Sequence, residues 1–191
     1  MKKVIFILSL MAAAINYGPM AYGQYSNKTN GFIQVGLAVP YSHMGDYYNP
    51  GFCTEFHVVH SLSKRKSEAR LGLLFNTGLG RFGGKSRWVA DNNGNLIELK
   101  ADPINVIPLH AGLRVDFGGV DTKDGKKGLY LSQDFGITYI DGPTGGTRYG
   151  HTFNIGMVFK RFDIDFGFDT WRGSTGSKFH YVAFKLGYMI F

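Results

Sequence analysis

The stretch RFDIDFGFDTW, residues 161–171, alternates without a break. Phe162, Ile164, Phe166 and Phe168 share one parity; Asp163, Asp165, Gly167 and Asp169 share the other. Successive side chains of an extended chain point to opposite faces, so the pattern predicts a β-strand with one greasy and one polar side. A soluble barrel hides the greasy side inside, and a membrane barrel turns it outward. Deciding between them decides where the chain works.

The same period recurs along the 191 residues. It predicts eight strands at about 32–41, 52–62, 70–80, 106–117, 129–140, 149–160, 162–171 and 179–190, each long enough to cross a bilayer at a tilt. The connectors carry Gly, Pro, Asn and Asp, as in HMGDYYNPG, DGPTGG and RGSTGS. Beyond the amino-terminal stretch, no apolar run is long enough for a membrane helix. That stretch, MKKVIFILSLMAAAINYGPMAYGQ, has a basic start, an apolar run from Val4 to Ile15, and small residues at Ala21 and Gly23. It is expected to be a secretory signal peptide over 1–23, leaving one barrel domain over 24–191.

Sorted by parity, the apolar face of the eight strands carries no Asp, Glu, Lys or Arg, and the other face carries them all. Periodicity cannot say which face is enclosed, but glycine can. Gly36, Gly72, Gly78, Gly80, Gly112, Gly136, Gly150, Gly156, Gly167 and Gly187 all fall on the polar face, and none on the apolar one. The interior of an eight-stranded barrel is barely wide enough for its own side chains, so glycine relieves crowding there. The polar face is therefore the lumen and the apolar face meets lipid. Within hydrocarbon only helices and closed barrels satisfy every backbone amide, so the fold is expected to be an all-β, eight-stranded antiparallel up-and-down transmembrane β-barrel.

With the amino end in the periplasm, the outer loops are about 42–51, 81–105, 141–148 and 172–178, and the inner turns about 63–69, 118–128 and 161. Aromatics at Tyr41, Phe52, Phe117, Tyr139, Tyr149, Phe159, Phe162 and Tyr188 mark the strand ends, as an interfacial girdle does. The long connector holds ADNNGN between Trp88–Ala90 and Leu96–Lys100. It predicts that the flanking strands continue past the wall as a protruding hairpin.

The leader, the eight alternating strands and the ending KLGYMIF resemble the small outer-membrane β-barrels of Gram-negative bacteria, of the OmpA/OmpX type. The resemblance covers the whole mature chain in pattern rather than in a sharp motif. It implies outer-membrane localisation, a monomer, and outer-membrane lipid, lipopolysaccharide and the barrel assembly machinery as partners. It also gives Phe191, with Tyr188 upstream, the role of a carboxy-terminal assembly signal. Tyr188 stands three residues before the end rather than the usual two.

Net charge is +7, and +5 once Lys2 and Lys3 are removed with the leader (19 basic against 14 acidic residues). The excess sits in connectors without interleaved aromatics, which excludes a nucleic-acid groove and favours anionic headgroups. A single cysteine, Cys53, excludes a disulfide framework and is expected to face inward, inert. The lumen is expected to hold a polar network of Glu55, His57, Arg70, His110, Arg114, Asp116, Asp134, Lys160, Asp163, Asp165 and Lys185. Near-balance of charge suits a plugged interior better than an ion path.

Glu55, His57 and His110 lack metal-ligand spacing, so no metal and no cofactor is expected. In HVVHS, His60 and Ser61 face opposite sides and cannot pair as a base and nucleophile. Arg81, Lys85, Arg87, Trp88, Trp171 and Arg172 are candidate outer-loop contacts. The reading is a non-enzymatic envelope or surface protein that displays loops for adhesion, envelope integrity or lipopolysaccharide contact. The alternatives are a lipid-modifying outer-membrane enzyme, a small-solute porin and a soluble lipocalin-type barrel. The last lacks the early Gly-x-Trp motif of its family.

Overall fold

A computed structural model describes residues 29–62, 69–92, 94–117, 126–142, 145–172 and 178–191. The expected leader and most of the two longer inner turns lie outside them. Eight antiparallel strands close into a barrel: β1 (Thr29–Tyr41), β2 (Gly51–Ser61), β3 (Ala69–Phe82), β6 (Ile104–Phe117), β7 (Lys126–Asp141), β8 (Gly146–Lys160), β9 (Phe162–Arg172) and β10 (Lys178–Met189). Each pairs with its neighbour in sequence order, and β1 meets β10 from Phe32↔Met189 to Tyr41↔His180. Closure leaves no free edge on the wall. Most strands run a few residues past the predicted bounds, because cross-strand pairing continues into the loops where alternation has already faded.

The apolar parity covers the outside. Ile33, Val35 and Leu37 of β1, Leu109 and Leu113 of β6, Phe153 and Ile155 of β8, and Phe162 and Phe166 of β9 are all exposed there. Every predicted luminal glycine lies on the enclosed face, as the crowding argument requires. A Cβ on Gly156 would collide with the Tyr130 ring, one on Gly150 with Thr138 and His110, and one on Gly187 with Gln34. At Gly36, Gly78, Gly112 and Gly136 the obstacle is instead the neighbouring strand's backbone. Gly80 is looser, its nearest neighbour being the Phe82 ring at 3.3 Å.

One end of the barrel, called the trimmed end here, is described at its β8–β9 turn. β8 returns to β9 through Lys160–Arg161 alone, with Phe159 opposite Phe162 and Lys160 in the left-handed region at φ 57°. Lys160 is exposed there, not luminal. Its parity points inward, but the strand ends at it and the side chain escapes to lie near the Phe159 ring.

The other end is built up. A five-residue helix, α1 (His43–Tyr47), follows β1, and a separate two-stranded sheet of β4 (Ser86–Ala90) and β5 (Leu96–Lys100) rises between β3 and β6. The expected hairpin exists, paired from Ser86↔Lys100 to Ala90↔Leu96, but it is not a continuation of the wall. Residues 83–85 interrupt β3, and there the hairpin base is tied to α1: Lys85 N donates to Tyr47 O at 2.8 Å, Asn49 N to Gly83 O at 2.8 Å, and Lys85 Nζ to Gly45 O at 2.5 Å.

Candidate functional site

The inward parity forms three layers. At the built-up end, Ala38, Met44, Cys53, Phe82, Ile104, Val106, Ile140, Trp171, Tyr181 and Ala183 make an apolar cluster. Met44, fully buried, enters it from α1 above. At the trimmed end, Phe32, Val59, Leu74, Tyr130 and Val158 make a second cluster. Between them lies the ionic layer. The lumen therefore carries apolar clusters toward both ends of its ionic middle, which the expected polar network did not include. Sorting residues by charge overlooked the apolar members of the inward face.

Lys185, 1 % exposed, centres that layer. Its Nζ donates to Glu55 Oε2 at 2.8 Å and Asn154 Oδ1 at 3.2 Å and lies 3.3 Å from Asp165 Oδ1. Glu55 Oε2 also accepts from Asn76 Nδ2, and Tyr130 Oη donates to Asp165 Oδ2 at 2.7 Å. Arg114 is the second hub. It donates from Nε and Nη2 to Asp116 Oδ1 at 2.9 and 2.8 Å, stacks 3.5 Å over the Tyr130 ring, and reaches Asp163 Oδ2 at 4.0 Å. Gln34 and His57 complete the surroundings of Asp163. Buried charge costs several kcal/mol per ion unless it is paired and hydrogen-bonded. These ten or so contacts are what allow Glu55, Asp163, Asp165, Arg114 and Lys185 to be buried at all.

A third group joins His110 to Asp134 at 2.7 Å and to Thr138 at 3.0 Å, beside the Thr152–Asp169 hydrogen bond of 2.7 Å. Asp134, His110 and Thr138 stand in the order orienter, base and hydroxyl. Thr138, however, is buried against Gly150, so no substrate carbonyl has room beside it. Among Glu55, His57, Asn76, Arg114, Tyr130 and Asp165 a void of about 10 Å³ has room for about one water.

The predicted network thus comes together except at its rim. Glu55, His57, His110, Arg114, Asp134, Asp163, Asp165 and Lys185 are buried. Asp116 and Arg70, opposite each other across β3–β6, are half-buried at the trimmed end. Gln34, Asn76, Asn154 and Asp169, luminal by their parity in the sequence, belong to the network too, and so does Tyr130, which shares that parity. Cys53 is buried in the apolar cluster. Among the described residues no group of three His, Cys, Asp or Glu side chains could hold a metal.

Trp171 departs from its expected outer-loop role: it is 2 % exposed, stacked on Phe179 and edge-on to Tyr181 inside the upper cluster. As the last inward position of β9, it is covered by the wall. Trp88, by contrast, is 66 % exposed on β4. Arg81 and Arg172 are exposed on the outer wall, and Arg87 stacks 4.8 Å from the Tyr47 ring. Just below, burial and then the Asp102 carboxylate raise the Tyr48 phenol above its usual value. At the trimmed end Phe191 closes the seam: Gly31 N donates to its carbonyl at 3.1 Å, and its ring occupies the space a Gly31 side chain would need. Tyr188 faces outward, edge-on to Phe162.

No known family profile matches the chain, and no curated protein matches it. Among solved structures it is similar to the outer membrane protein Ail of Yersinia pestis in a phospholipid nanodisc (12 % identity, TM-score 0.44, 84 % of this chain and 99 % of that one). It is likewise similar to Neisserial surface protein A (13 %, TM-score 0.46, 85 % and 96 %).

Proposed function

We propose that this chain is an outer-membrane barrel that neither conducts nor catalyses and acts through what it displays outside. The observation that carries this reading is the joint arrangement of wall and lumen. The outward face is apolar along the middle of the strands and carries charge only at their ends, as at Arg81, Arg172 and Lys178, while the inward face is ion-paired in the middle and carries apolar clusters toward both ends. Such a wall is stable against acyl chains and costly in water. Such a lumen leaves no path for a hydrated ion.

The displayed parts are α1 and the β4–β5 hairpin, whose Trp88, Leu96, Ile97 and Leu99 are exposed. Loops and hairpins on a rigid barrel are where recognition is usually carried. Adhesion, envelope integrity or lipopolysaccharide contact fits this arrangement. The carboxy-terminal Phe191 with Tyr188 fits delivery by the barrel assembly machinery. The test is conductance of the refolded protein in a planar bilayer, with and without residues 84–101. The expected result is no steady current from the intact chain; large steady conductance would establish a pore instead.

A further inference from the structure

On the outer wall at the built-up end, β9 and β10 set Arg172 and Lys178 directly opposite each other, both exposed. They share the outward parity of Phe166, Phe168, Val182 and Phe184. Like charges directly opposite on one face of an antiparallel pair repel. No acid relieves them: Asp163, Asp165 and Asp169 of β9 turn inward, β10 has no acid, and neither does the connector GSTGS at 173–177. Neither cation has an acidic partner among the described residues.

One row nearer the apolar band, His151, Thr170 and His180 stand side by side across β8, β9 and β10. Thr170 Oγ1 lies 2.8 Å from His180 Nδ1, and Tyr41 stacks on the His180 ring at 5.4 Å. The height of this patch follows from the strand. Ten residue steps separate Phe162 from Arg172; at about 3.3 Å each and a tilt of about 40° they climb roughly 25 Å, the height of the apolar band of such barrels. The two cations therefore stand at headgroup level on the side of the wall that faces lipid, not on the loops that face solvent.

We infer that Arg172 and Lys178 together clamp the phosphate of an anionic lipid headgroup, with His151 and His180 as its polar floor. This rests on the membrane-spanning reading and adds the headgroup chemistry to it. The guanidinium offers a planar two-point grip on phosphate oxygens and the ammonium a point charge. The anion turns the repulsive pair into a shared site. A free phosphate would be recognised by the same atoms, but the outward, headgroup-level position commits the site to a phosphate carried by a lipid.

The experiment uses the full mature chain refolded into phosphatidylcholine vesicles. The vesicles are doped with either a phosphorylated glycolipid or the same glycolipid with its phosphates removed. Retained lipid is counted by mass spectrometry of the intact complex. The expected result is selective retention of the phosphorylated form, lowered about twentyfold in the double variant R172Q/K178Q and unchanged in K160Q, which removes one exposed charge from the opposite end of the barrel. Equal retention of both glycolipids, or an unaffected double variant, overturns the inference. So does complete displacement by inorganic phosphate at matched concentration, which assigns the site to a free anion. Protease protection of the wall is read in parallel. If the wild-type chain never enters vesicles, the membrane reading fails with the inference; if it enters and retains nothing, the inference fails alone.

Discussion

Two antiparallel pairs of this chain carry the same two-residue period and end in opposite environments. In β9–β10 every second side chain is enclosed: Lys185 meets Asp165 across the ladder, and Tyr181 and Trp171 meet in the upper cluster. In β4–β5 the two faces carry Trp88 with Leu96, and Val89 with Ile97 and Leu99, yet Leu96 is 68 % exposed. The alternation of both pairs gives each two faces. Only closure into a barrel gives one of those faces something to pack against, and an isolated two-stranded hairpin has marginal stability by itself. The hairpin persists because its base is tied to α1 and its tip is pinned, with Asn95 N donating to Asp91 Oδ1 at 2.8 Å and Gly94 turning at φ 82°.

The largest effect expected from this contrast comes from the lumen's centre. Lys185→Met leaves Glu55 and Asp165 buried without their cation, which costs about 3–5 kcal/mol. Urea unfolding in vesicles should show the midpoint falling sharply; a midpoint near wild type would mean that the ionic layer is wet. Next is the upper plug. Met44→Ala should cost about 2–3 kcal/mol, since the cluster below α1 cannot collapse into the space left. It should also raise solvent quenching of Trp171, a change that a plug-free mouth would not show.

Overpacking comes third. Gly156→Val pushes into the Tyr130 ring and should cost about 1–3 kcal/mol, whereas Gly80→Ala, with its looser surroundings, should stay within about 0.5 kcal/mol. Equal costs at the two sites would break the crowding argument. Smallest is the hairpin: Trp88→Ser with Leu96→Ser should leave the barrel's unfolding midpoint within about 0.5 kcal/mol of wild type. A larger loss would mean that the hairpin packs on something in the folded chain.

Most of the wall was legible in the residues because two-residue periodicity and charge segregation act over ten positions at a time. RFDIDFGFDTW alone sorts seven side chains onto two faces, and the glycines say which face is enclosed. What stayed hidden depends on single positions. The five residues of α1 are too few to show a helical stripe, so nothing marked Met44 as a plug. Lys160 has luminal parity but stands where the strand ends. Trp171 looks like a loop residue because Arg172 and Gly173 follow it, yet it is the last residue the wall encloses. Phe32, Leu74, Phe82 and Tyr181 share the polar parity without being polar, and so the two apolar caps of the lumen escaped a reading sorted by charge.

The central claim concerns which face touches lipid, and Cys53, the sole cysteine, makes it directly measurable. In a Cys53→Ser background, Phe166→Cys and Phe184→Cys are labelled with a fluorophore and the protein is refolded into vesicles of brominated phosphatidylcholine. Strong quenching is expected at both outward positions, with far weaker quenching of a label at Ser86→Cys on the hairpin. Labels at 166 and 184 that the lipid bromines do not quench, on a chain that stays dissolved without detergent, would contradict the account.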